Sequence, residues 1–447
     1  MRRKLLGASA ILMAAFIASQ VLRFAGNVLL AKLLSPSAFG IVAVVNLLIL
    51  ALNLLSDVGL RLIVIQRQGP LTQKFLNTVW GLQIGRGVLI WALSLACAFG
   101  LRVMQWYGLI DAHKAYADPL LPFLIAGAAT AALFQGVEST KSLTERRALS
   151  LMKVTVIQLI AQVAAMVLMI GVAWVNASPW ALVIGGIAAA AVQTLLSHTW
   201  LPGETNRFEF DRSIARDVLM AGRWVFVSSM VSFLGGNADI LMLGGLTDPA
   251  SLGNYVVAFQ LINVVQILVS TISGNVVFPA FSEARRDALE SLPSKYRRLQ
   301  LVSDAIVVSA SSAFFVAGSA IVTLLFDHRY AQAGQVLSWL AIGVLGLRYY
   351  VVEQLMNAEG NFRLTTLIAI ARLVAMVVCA YGGFRLGGLN GAAIGVGLST
   401  FAGWPVSLWY RHRTVGTDWR VEAALPVFLA AGAAIGWAVA AVIHLYK

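Results

Sequence analysis

The sequence predicts an all-α polytopic membrane protein with two six-helix lobes, related by a pseudo-twofold axis along the membrane normal, and one extra C-terminal helix. Three observations carry this prediction. The 447-residue chain is 59% hydrophobic and only 12% charged, whereas soluble domains are about 25% charged. One short motif occurs twice, and positive charge alternates between successive loops.

Apolar runs long enough to cross a bilayer, which takes about 20 residues per helix, follow one another along the chain. The first six predicted helices lie near 7–33, 40–60, 76–101, 119–138, 154–175 and 179–200. The second six lie near 217–245, 251–276, 300–326, 332–357, 364–386 and 388–409, and a thirteenth lies near 424–445. We therefore predict an N-terminal lobe over 1–200, a cytoplasmic link over 201–216, a C-terminal lobe over 217–410, and a loop with the extra helix over 411–447.

The repeated motif is Leu-Leu-Ser-Pro-Ser-Ala-Phe-Gly at 33–40 and Leu-Thr-Asp-Pro-Ala-Ser-Leu-Gly at 246–253. In each copy a side chain that can cap a helix, Ser35 or Asp248, precedes a proline. Proline pre-sets the first turn of a helix, so the motif predicts a short link between two helices. An even number of helices in each half places both copies on the same side of the membrane, which requires the pseudo-twofold axis.

The distribution of lysine and arginine predicts the orientation. With a cytoplasmic N-terminus, 23 of the 33 basic residues fall on inside segments, 6 on outside segments and 4 within helices. Membrane proteins keep their basic loops on the cytoplasmic side. The net charge of +13 is thereby explained without a nucleic-acid partner. The segment 283–300 is predicted to join helices eight and nine on the cytoplasmic surface.

Polar side chains follow helical spacing on the four predicted helices that flank the two motif copies. The candidates that these stripes supply are Arg23, Asn27, Asn53, Asp57, Asp239, Gln260 and Asn263. A lone polar residue in such a stripe is more simply explained by an interhelical hydrogen bond of about 0.6 kcal/mol. Four stripes around two equivalent turns predict a water-filled cavity between the halves.

Three further arginines, Arg86, Arg348 and Arg372, fall within predicted helices. A charge exposed to lipid costs at least about 2.5 to 3.5 kcal/mol, so such residues face a cavity or a partner. The planar guanidinium group suits a phosphate-bearing ligand. For Arg348, an ion pair with Glu353 is an equal alternative.

The chain shows no constellation typical of an enzyme. Its five histidines have no metal-type pairing, and there is no phosphate-binding glycine loop. We therefore predict a transporter without an ATPase motif, a metal or another cofactor. The acids that could bind a coupling ion, either Na⁺ or H⁺, are Asp57, Asp239, Glu353 and Glu138. For Asp57 and Glu138, which lie near helix ends, a capping or ion-pair role is at least as good an explanation.

Several short segments resemble the polysaccharide transporter (flippase) family of the multidrug/oligosaccharidyl-lipid/polysaccharide exporter superfamily. In the first half they are 34–41, 56–60 and 65–66, and in the second half 239–244, 252–255 and 277–279. The resemblance covers nearly the whole chain. The extra C-terminal helix departs from a twelve-helix pattern.

The resemblance implies a central cavity lined by helices one, two, seven and eight. It also implies movement of undecaprenyl-diphosphate-linked oligosaccharide from the inner to the outer leaflet of a bacterial inner membrane, by alternating access. The product would be exopolysaccharide, capsule or O-antigen, and the partners would be membrane lipids, a polysaccharide polymerase and a chain-length regulator. The arginines at 23, 86, 348 and 372 would hold the diphosphate or acidic sugars.

Two alternatives are open. One is a drug or small-cation exporter of the same superfamily, whose cavity we expect to be acidic or aromatic rather than basic. The other is a membrane-bound glycan polymerase or acyltransferase, which usually needs a larger outside loop than the segment 101–118.

Overall fold

The computed structural model describes residues 2–56, 60–67, 69–148, 150–287, 289–416 and 418–445, and every regular element within them is helical. The chain divides into two compact units, one formed by residues 1–234 with 244–249, the other by 235–243 with 250–447. Asp57, one of the candidate acids, lies outside the described residues.

The first unit contains eight helices and most of a ninth. They are α1 Arg2–Leu33, α2 Pro36–Leu55, α3 Leu60–Gln66, α4 Gln73–Trp106, α5 Leu121–Gly136, α6 Lys141–Arg147, α7 Leu151–Val175, α8 Trp180–Thr199 and α9 Arg212–Leu246. The second unit adds α10 Pro249–Ile272, α11 Phe278–Asp287, α12 Leu292–Leu325, α13 Ala331–Gly346, α14 Tyr350–Ala358, α15 Phe362–Ser399, α16 Trp404–Thr414 and α17 Trp419–Leu445.

Among the described residues, nine helical stretches are long and apolar enough to cross a membrane, or ten if the bent pair α5 and α6 forms one span. The chain is therefore a multi-pass membrane protein. The count of thirteen spans, the pseudo-twofold axis and the predicted lobe boundaries stay predictions.

The predicted break between residues 386 and 388 is confirmed inside α15. Gly387 and Gly388 leave the helical conformation, and Gly388 has a φ of +58°, which favours glycine. The chain doubles back there, because a Cβ on Gly383 would lie only 2.1 Å from the carbonyl oxygen of Gly391. The helical stretch 362–414 thus contains two antiparallel arms.

The first copy of the repeated motif forms the predicted helix start. The Ser35 hydroxyl accepts a hydrogen bond from the backbone N–H of Ala38 at 3.3 Å, and Pro36 is the first residue of α2. In the second copy Pro249 is likewise the first residue of α10. Both prolines thus stand where a missing N–H costs nothing.

The turn of the second motif copy is bound by the loop between α4 and α5, within the first unit. The backbone N–H of Ala115 donates to the carbonyl of Thr247 at 2.9 Å, and Lys114 Nζ donates to the carbonyl of Leu246 at 2.8 Å. The Tyr116 ring packs on Gly244, where a Cβ would lie 3.0 Å from ring atoms. A side chain at 244 would displace this loop.

The segment 283–300 differs from the prediction of a surface link. Only residues 288–291 separate the end of α11 from α12, and α12 begins at Leu292 with Pro293 in its first turn. Proline is compatible with that position because its N–H would be unpaired in any case. The basic residues Lys295, Arg297 and Arg298 consequently stand on the first turns of a membrane helix.

The extra helix α17 packs along α12. A Cβ on Gly432 would lie 2.1 Å from Ser312 Oγ and 2.2 Å from the carbonyl oxygen of Ser309, and one on Gly436 would lie 2.8 Å from the carbonyl oxygen of Ala313. Small residues at such crossings let helix backbones approach closely in membranes. The C-terminal helix is therefore an integral part of the second unit.

Candidate functional site

The first unit contains a cavity of about 410 Å³ between α4, α5 and α8. Its polar lining consists of Gln83, Arg86, Gln135, Glu138, Gln193 and Thr194. Polar side chains on apolar helices are costly unless they face one another or water. The cavity is thus the polar interior of this unit.

Arg86 reaches this cavity from the middle of α4. Its Nε donates to Ser56 Oγ at 3.1 Å, and its Nη2 donates to the carbonyl oxygen of Asn53 at 2.8 Å. Asn53 in turn donates from Nδ2 to the carbonyl of Ile49 at 2.9 Å. Two of the predicted candidates, Arg86 and Asn53, are thereby brought together at the end of α2, where unpaired carbonyls accept from cations.

Gln83, one helical turn before Arg86, donates hydrogen bonds to the backbone at the end of α5. Its Nε2 lies 3.0 Å from the carbonyl oxygen of Gln135 and 2.9 Å from that of Glu138. The Glu138 carboxylate accepts a hydrogen bond from Gln193 Nε2 at 3.2 Å. Among the described residues, the cavity lining therefore includes the Arg86 guanidinium and the Glu138 carboxylate, each held by hydrogen bonds.

The α1 candidates lie apart from these contacts. Arg23 is exposed and makes no hydrogen bond or ion pair with any described residue. Asn27, one turn further along, is partly buried. The guanidinium of Arg23 is therefore available to a ligand.

In the second unit, Asp239 is buried and accepts a hydrogen bond of 2.5 Å from the Tyr255 hydroxyl. Gln260 and Asn263 lie further along α10 and are partly buried. Asp239 and Tyr255 thus form a closed hydrogen-bonded pair, which satisfies the carboxylate within the protein.

Arg348 is almost fully buried in an ionic cluster of the second unit. Its Nε and Nη2 lie 3.2 and 3.0 Å from Asp304 Oδ1 and Oδ2, and its Nη1 lies 3.3 Å from Glu422 Oε2. Glu422 also accepts from Arg411 Nη1 at 2.6 Å. The predicted alternative of a pair with Glu353 is wrong, because Asp304 binds Nε and Nη2 of Arg348 in bidentate geometry and Glu422 binds its Nη1.

Glu353 pairs instead with Arg372, whose Nη2 lies 2.5 Å from Glu353 Oε1. The Arg372 Nε donates to the carbonyl of Thr400 at 3.3 Å, and its guanidinium lies 5.4 Å from the centre of the Tyr350 ring. This pair joins α14 to α15 with both side chains less than one-fifth exposed. A ligand role for Arg372 would require it to leave Glu353.

Comparison with known proteins decides the family. The sequence profile of the family described as "Polysaccharide biosynthesis protein" matches residues 29–335, more than half of the chain. The chain belongs to this polysaccharide biosynthesis family.

Two relatives of this chain are named for the biosynthesis of lipopolysaccharide and of teichuronic acid. Lipopolysaccharide biosynthesis protein WzxC of Escherichia coli is 23% identical over 82% of this chain and 72% of the relative. Teichuronic acid biosynthesis protein TuaB of Bacillus subtilis is 27% identical over 34% of this chain, and the match spans only 30% of that relative.

The fold of this polysaccharide biosynthesis protein is shared with solved membrane transporters. The lipid II flippase MurJ in an inward closed conformation superimposes with a TM-score of 0.72 over 97% of this chain and 98% of that one, at 13% identity. An inward-facing multidrug resistance MATE transporter of the MOP superfamily superimposes with a TM-score of 0.67 over 89% and 94%, at 15% identity. The fold is therefore that of MurJ and MATE transporters.

Asp304 and Glu422 are the residues that the sequence prediction missed. Asp304 follows Gln300 by four residues, and Gln300 Nε2 donates to Asp304 Oδ1 at 2.7 Å. That spacing marks a polar stripe, but the predicted helix start at 300 placed it at a helix end. Among the described residues, no group of three His, Cys, Asp or Glu could hold a metal ion.

Proposed function

We propose that this polysaccharide biosynthesis protein is a flippase for undecaprenyl-diphosphate-linked oligosaccharide in the bacterial inner membrane, with its N-terminus in the cytoplasm. The observation that carries the proposal is the family match over residues 29–335. The shared fold supports it, since MurJ is a lipid II flippase. The substrate would be turned from the inner to the outer leaflet for export of exopolysaccharide, capsule or O-antigen.

The residues of the first unit suit an anionic headgroup. Arg86 lines the 410 Å³ cavity, and its guanidinium donates hydrogen bonds to Ser56 Oγ and to the carbonyl oxygen of Asn53. A diphosphate can accept bidentate hydrogen bonds from such a fork. The exposed Arg23 provides a second guanidinium group, so we assign Arg23 and Arg86 to substrate binding.

The ion pairs of the second unit suit the joining of helices rather than the binding of an anionic substrate. Arg348 and Arg372 each have a carboxylate partner at 3.0 Å or less, so their charge is already neutralised. Alternating access requires only that substrate binds two conformations with different affinity. A coupling ion, Na⁺ or H⁺, would bind at Asp57, at Asp239 or at Glu353, and a polymerase and chain-length regulator would receive the product.

The test is flipping in proteoliposomes. The full chain is reconstituted with undecaprenyl-diphosphate oligosaccharide carrying a fluorophore on the sugar, and dithionite is added outside. We expect the quenched fraction to rise from about half in empty vesicles toward completion, because inner-leaflet label becomes accessible. Arg86→Gln should slow this rise about tenfold, the effect expected for one charge-assisted hydrogen bond of about 1.5 kcal/mol.

A control variant and a control lipid test whether the effect is specific. The control Arg102→Gln changes an exposed arginine of the same unit and should leave the rate unchanged. A lipid-linked fluorophore without sugar should not move faster than in empty vesicles. If the protein moves no lipid-linked saccharide but expels ethidium from the same vesicles, the proposal is refuted in favour of a drug exporter.

A further inference from the structure

A groove of about 390 Å³ runs along the second unit, between α12 and the stretch formed by α10 and α11. Its walls are largely aliphatic, with Val276 and Val302 each 52% exposed. The five residues Ser273–Val277, between α10 and α11, form a π-helical turn. Such a turn widens a helix locally and is frequent at functional sites.

The length of the groove matches one leaflet of a bilayer. Its wall on one side runs from Val269 to Ala280 and on the other from Lys295 to Ile306. At 1.5 Å rise per residue, each wall is about 16 Å long. The hydrocarbon core of a membrane is about 30 Å thick, so the groove is as long as half of that core.

The charge lies at one end of the groove. Lys295 and Arg298 line it on the first turns of α12, whereas the opposite end is formed by Val269 and Ile306. Lys295 Nζ makes an ion pair of 3.3 Å with Glu283, whose side chain is 62% exposed, and exposed pairs of this kind are weak. Arg298 is exposed and makes no hydrogen bond or ion pair with any described residue.

We propose that this groove binds one acyl chain of an anionic glycerophospholipid, whose phosphate lies between Lys295 and Arg298. The lipid belongs to the leaflet on the side of the basic loops, where membranes carry their anionic lipids and where basic pockets between helices bind anionic headgroups. The site is separate from the substrate cavity proposed above, and its occupancy does not depend on that function.

Other occupants fit the groove less well. A helix of a partner protein is about 10 to 12 Å in diameter and needs more room than a volume of about 390 Å³ along a length of 16 Å. A polyprenyl chain would extend well beyond one leaflet, whereas the apolar walls end after about 16 Å. A zwitterionic lipid carries an ammonium group beside its phosphate, so its net attraction to Lys295 and Arg298 is weaker than that of an anionic lipid.

The test uses a phosphatidylglycerol that carries a photoactivatable diazirine in the middle of one acyl chain. The full chain is reconstituted in phosphatidylcholine vesicles with a small fraction of this probe, irradiated, and digested for mass spectrometry. We expect crosslinks within 269–280 and 299–306. A phosphatidylcholine bearing the same diazirine should give about 25-fold fewer, since each of the two basic residues changes anionic-lipid affinity on the order of fivefold.

Two variants address the headgroup and the chain separately. Lys295→Gln with Arg298→Gln should reduce the phosphatidylglycerol crosslinks about 25-fold, while Arg286→Gln, an exposed basic residue outside the groove lining, should not. Val302→Trp should fill the groove and abolish the crosslinks, while Leu324→Trp at an exposed position of the same helix should leave them intact.

Three outcomes would overturn the proposal. Equal labelling by the two diazirine lipids would show that the groove does not select anionic headgroups. Displacement of the probe by undecaprenyl phosphate at a lower mole fraction than by unlabelled phosphatidylglycerol would assign the groove to a polyprenyl lipid. Displacement by inorganic phosphate alone would show an anion site without a chain. Flipping by the wild-type protein is measured separately, so failure here leaves the proposed function standing.

Discussion

Arg348 and Asp304 face each other through two nitrogen–oxygen contacts, 3.2 Å from Nε to Oδ1 and 3.0 Å from Nη2 to Oδ2. The Asp304 side chain is fully buried and that of Arg348 is 10% exposed. Glu422 extends the cluster to α17, through contacts with Arg348 and Arg411. The contacts of Arg348 and Glu422 therefore connect α12, the turn before α14, α16 and α17 within the second unit.

Removing one member of this buried pair should destabilise the second unit. Asp304→Asn leaves Arg348 with Glu422 alone, and breaking a buried pair costs about 3 to 5 kcal/mol. The thermal unfolding midpoint in detergent should fall clearly, whereas Glu283→Gln, which breaks an exposed pair, should change it little. The double variant Asp304→Leu with Arg348→Met removes both charges, so it should be less destabilised than Asp304→Asn. A loss of stability equal to the sum of the losses in the two single variants would contradict the pairing.

The close crossing of α17 and α12 gives a second prediction. Gly432→Val places side-chain atoms where a Cβ alone would lie 2.1 Å from Ser312 Oγ. Overpacking of this kind costs about 1 to 3 kcal/mol, so the unfolding midpoint should fall. Ala434→Val, at an exposed position of the same helix, is the matched control. Equal stability of the two variants would mean that α17 does not pack closely on α12.

The sequence predicted the local features of the fold. Apolar run length located most helices to within a few residues, and the Ser35-Pro36 pair predicted a helix start because capping involves neighbours in the chain. The partners of Arg348 were not predictable in this way. Asp304 lies 44 residues and Glu422 74 residues from it, and helical spacing reports only on side chains within about four residues.

The candidate site shows the same limit. A polar stripe identified Asn53 and a charge within a predicted helix identified Arg86, and only the packing of α4 against α2 brings them together. Glu138 was recognised as an acid near a helix end, but its contact with Gln193 depends on α8. The predicted start of helix nine at residue 300 also placed Lys295 and Arg298 in a loop, although they lie on the first turns of α12. Basic residues are equally typical of a loop and of a helix end, so the sequence does not distinguish the two.

The ion pair between Lys74 and Asp211 predicts a pH dependence. Lys74 Nζ lies 2.7 Å from Asp211 Oδ2, and this ammonium, with hydrogen bonds from Ser213 and Ile214, holds the pKa of the Asp211 carboxyl well below its ordinary value. A carboxyl whose pKa is lowered on folding stabilises the folded state above its unfolded pKa of about 3.9, and this stability is lost as the pH falls below that value.

The measurement compares unfolding midpoints of the wild type and Asp211→Asn between neutral pH and pH 3. Asparagine can still cap α9, so the variant isolates the charge. We expect the wild type to be more stable at neutral pH and the two curves to approach each other below about pH 4. Asp217→Asn, an exposed residue of α9, should follow the wild type. A constant difference at all pH values would exclude the ion pair as its cause.

Arg23 gives the clearest separation of transport from stability. Its guanidinium is exposed and has no hydrogen-bond or ion-pair partner among the described residues, so Arg23→Ala should not change the unfolding midpoint or the amount of protein in the membrane. If Arg23 binds the diphosphate, loss of its charge-assisted hydrogen bonds, each about 1.5 to 3 kcal/mol, should slow flipping of the sugar-labelled substrate by a factor of about 10 to 100. Arg102→Ala provides the matched control, and Arg348→Ala should show the opposite pattern, with lowered stability. Wild-type flipping by a stable Arg23→Ala protein would remove Arg23 from the substrate site.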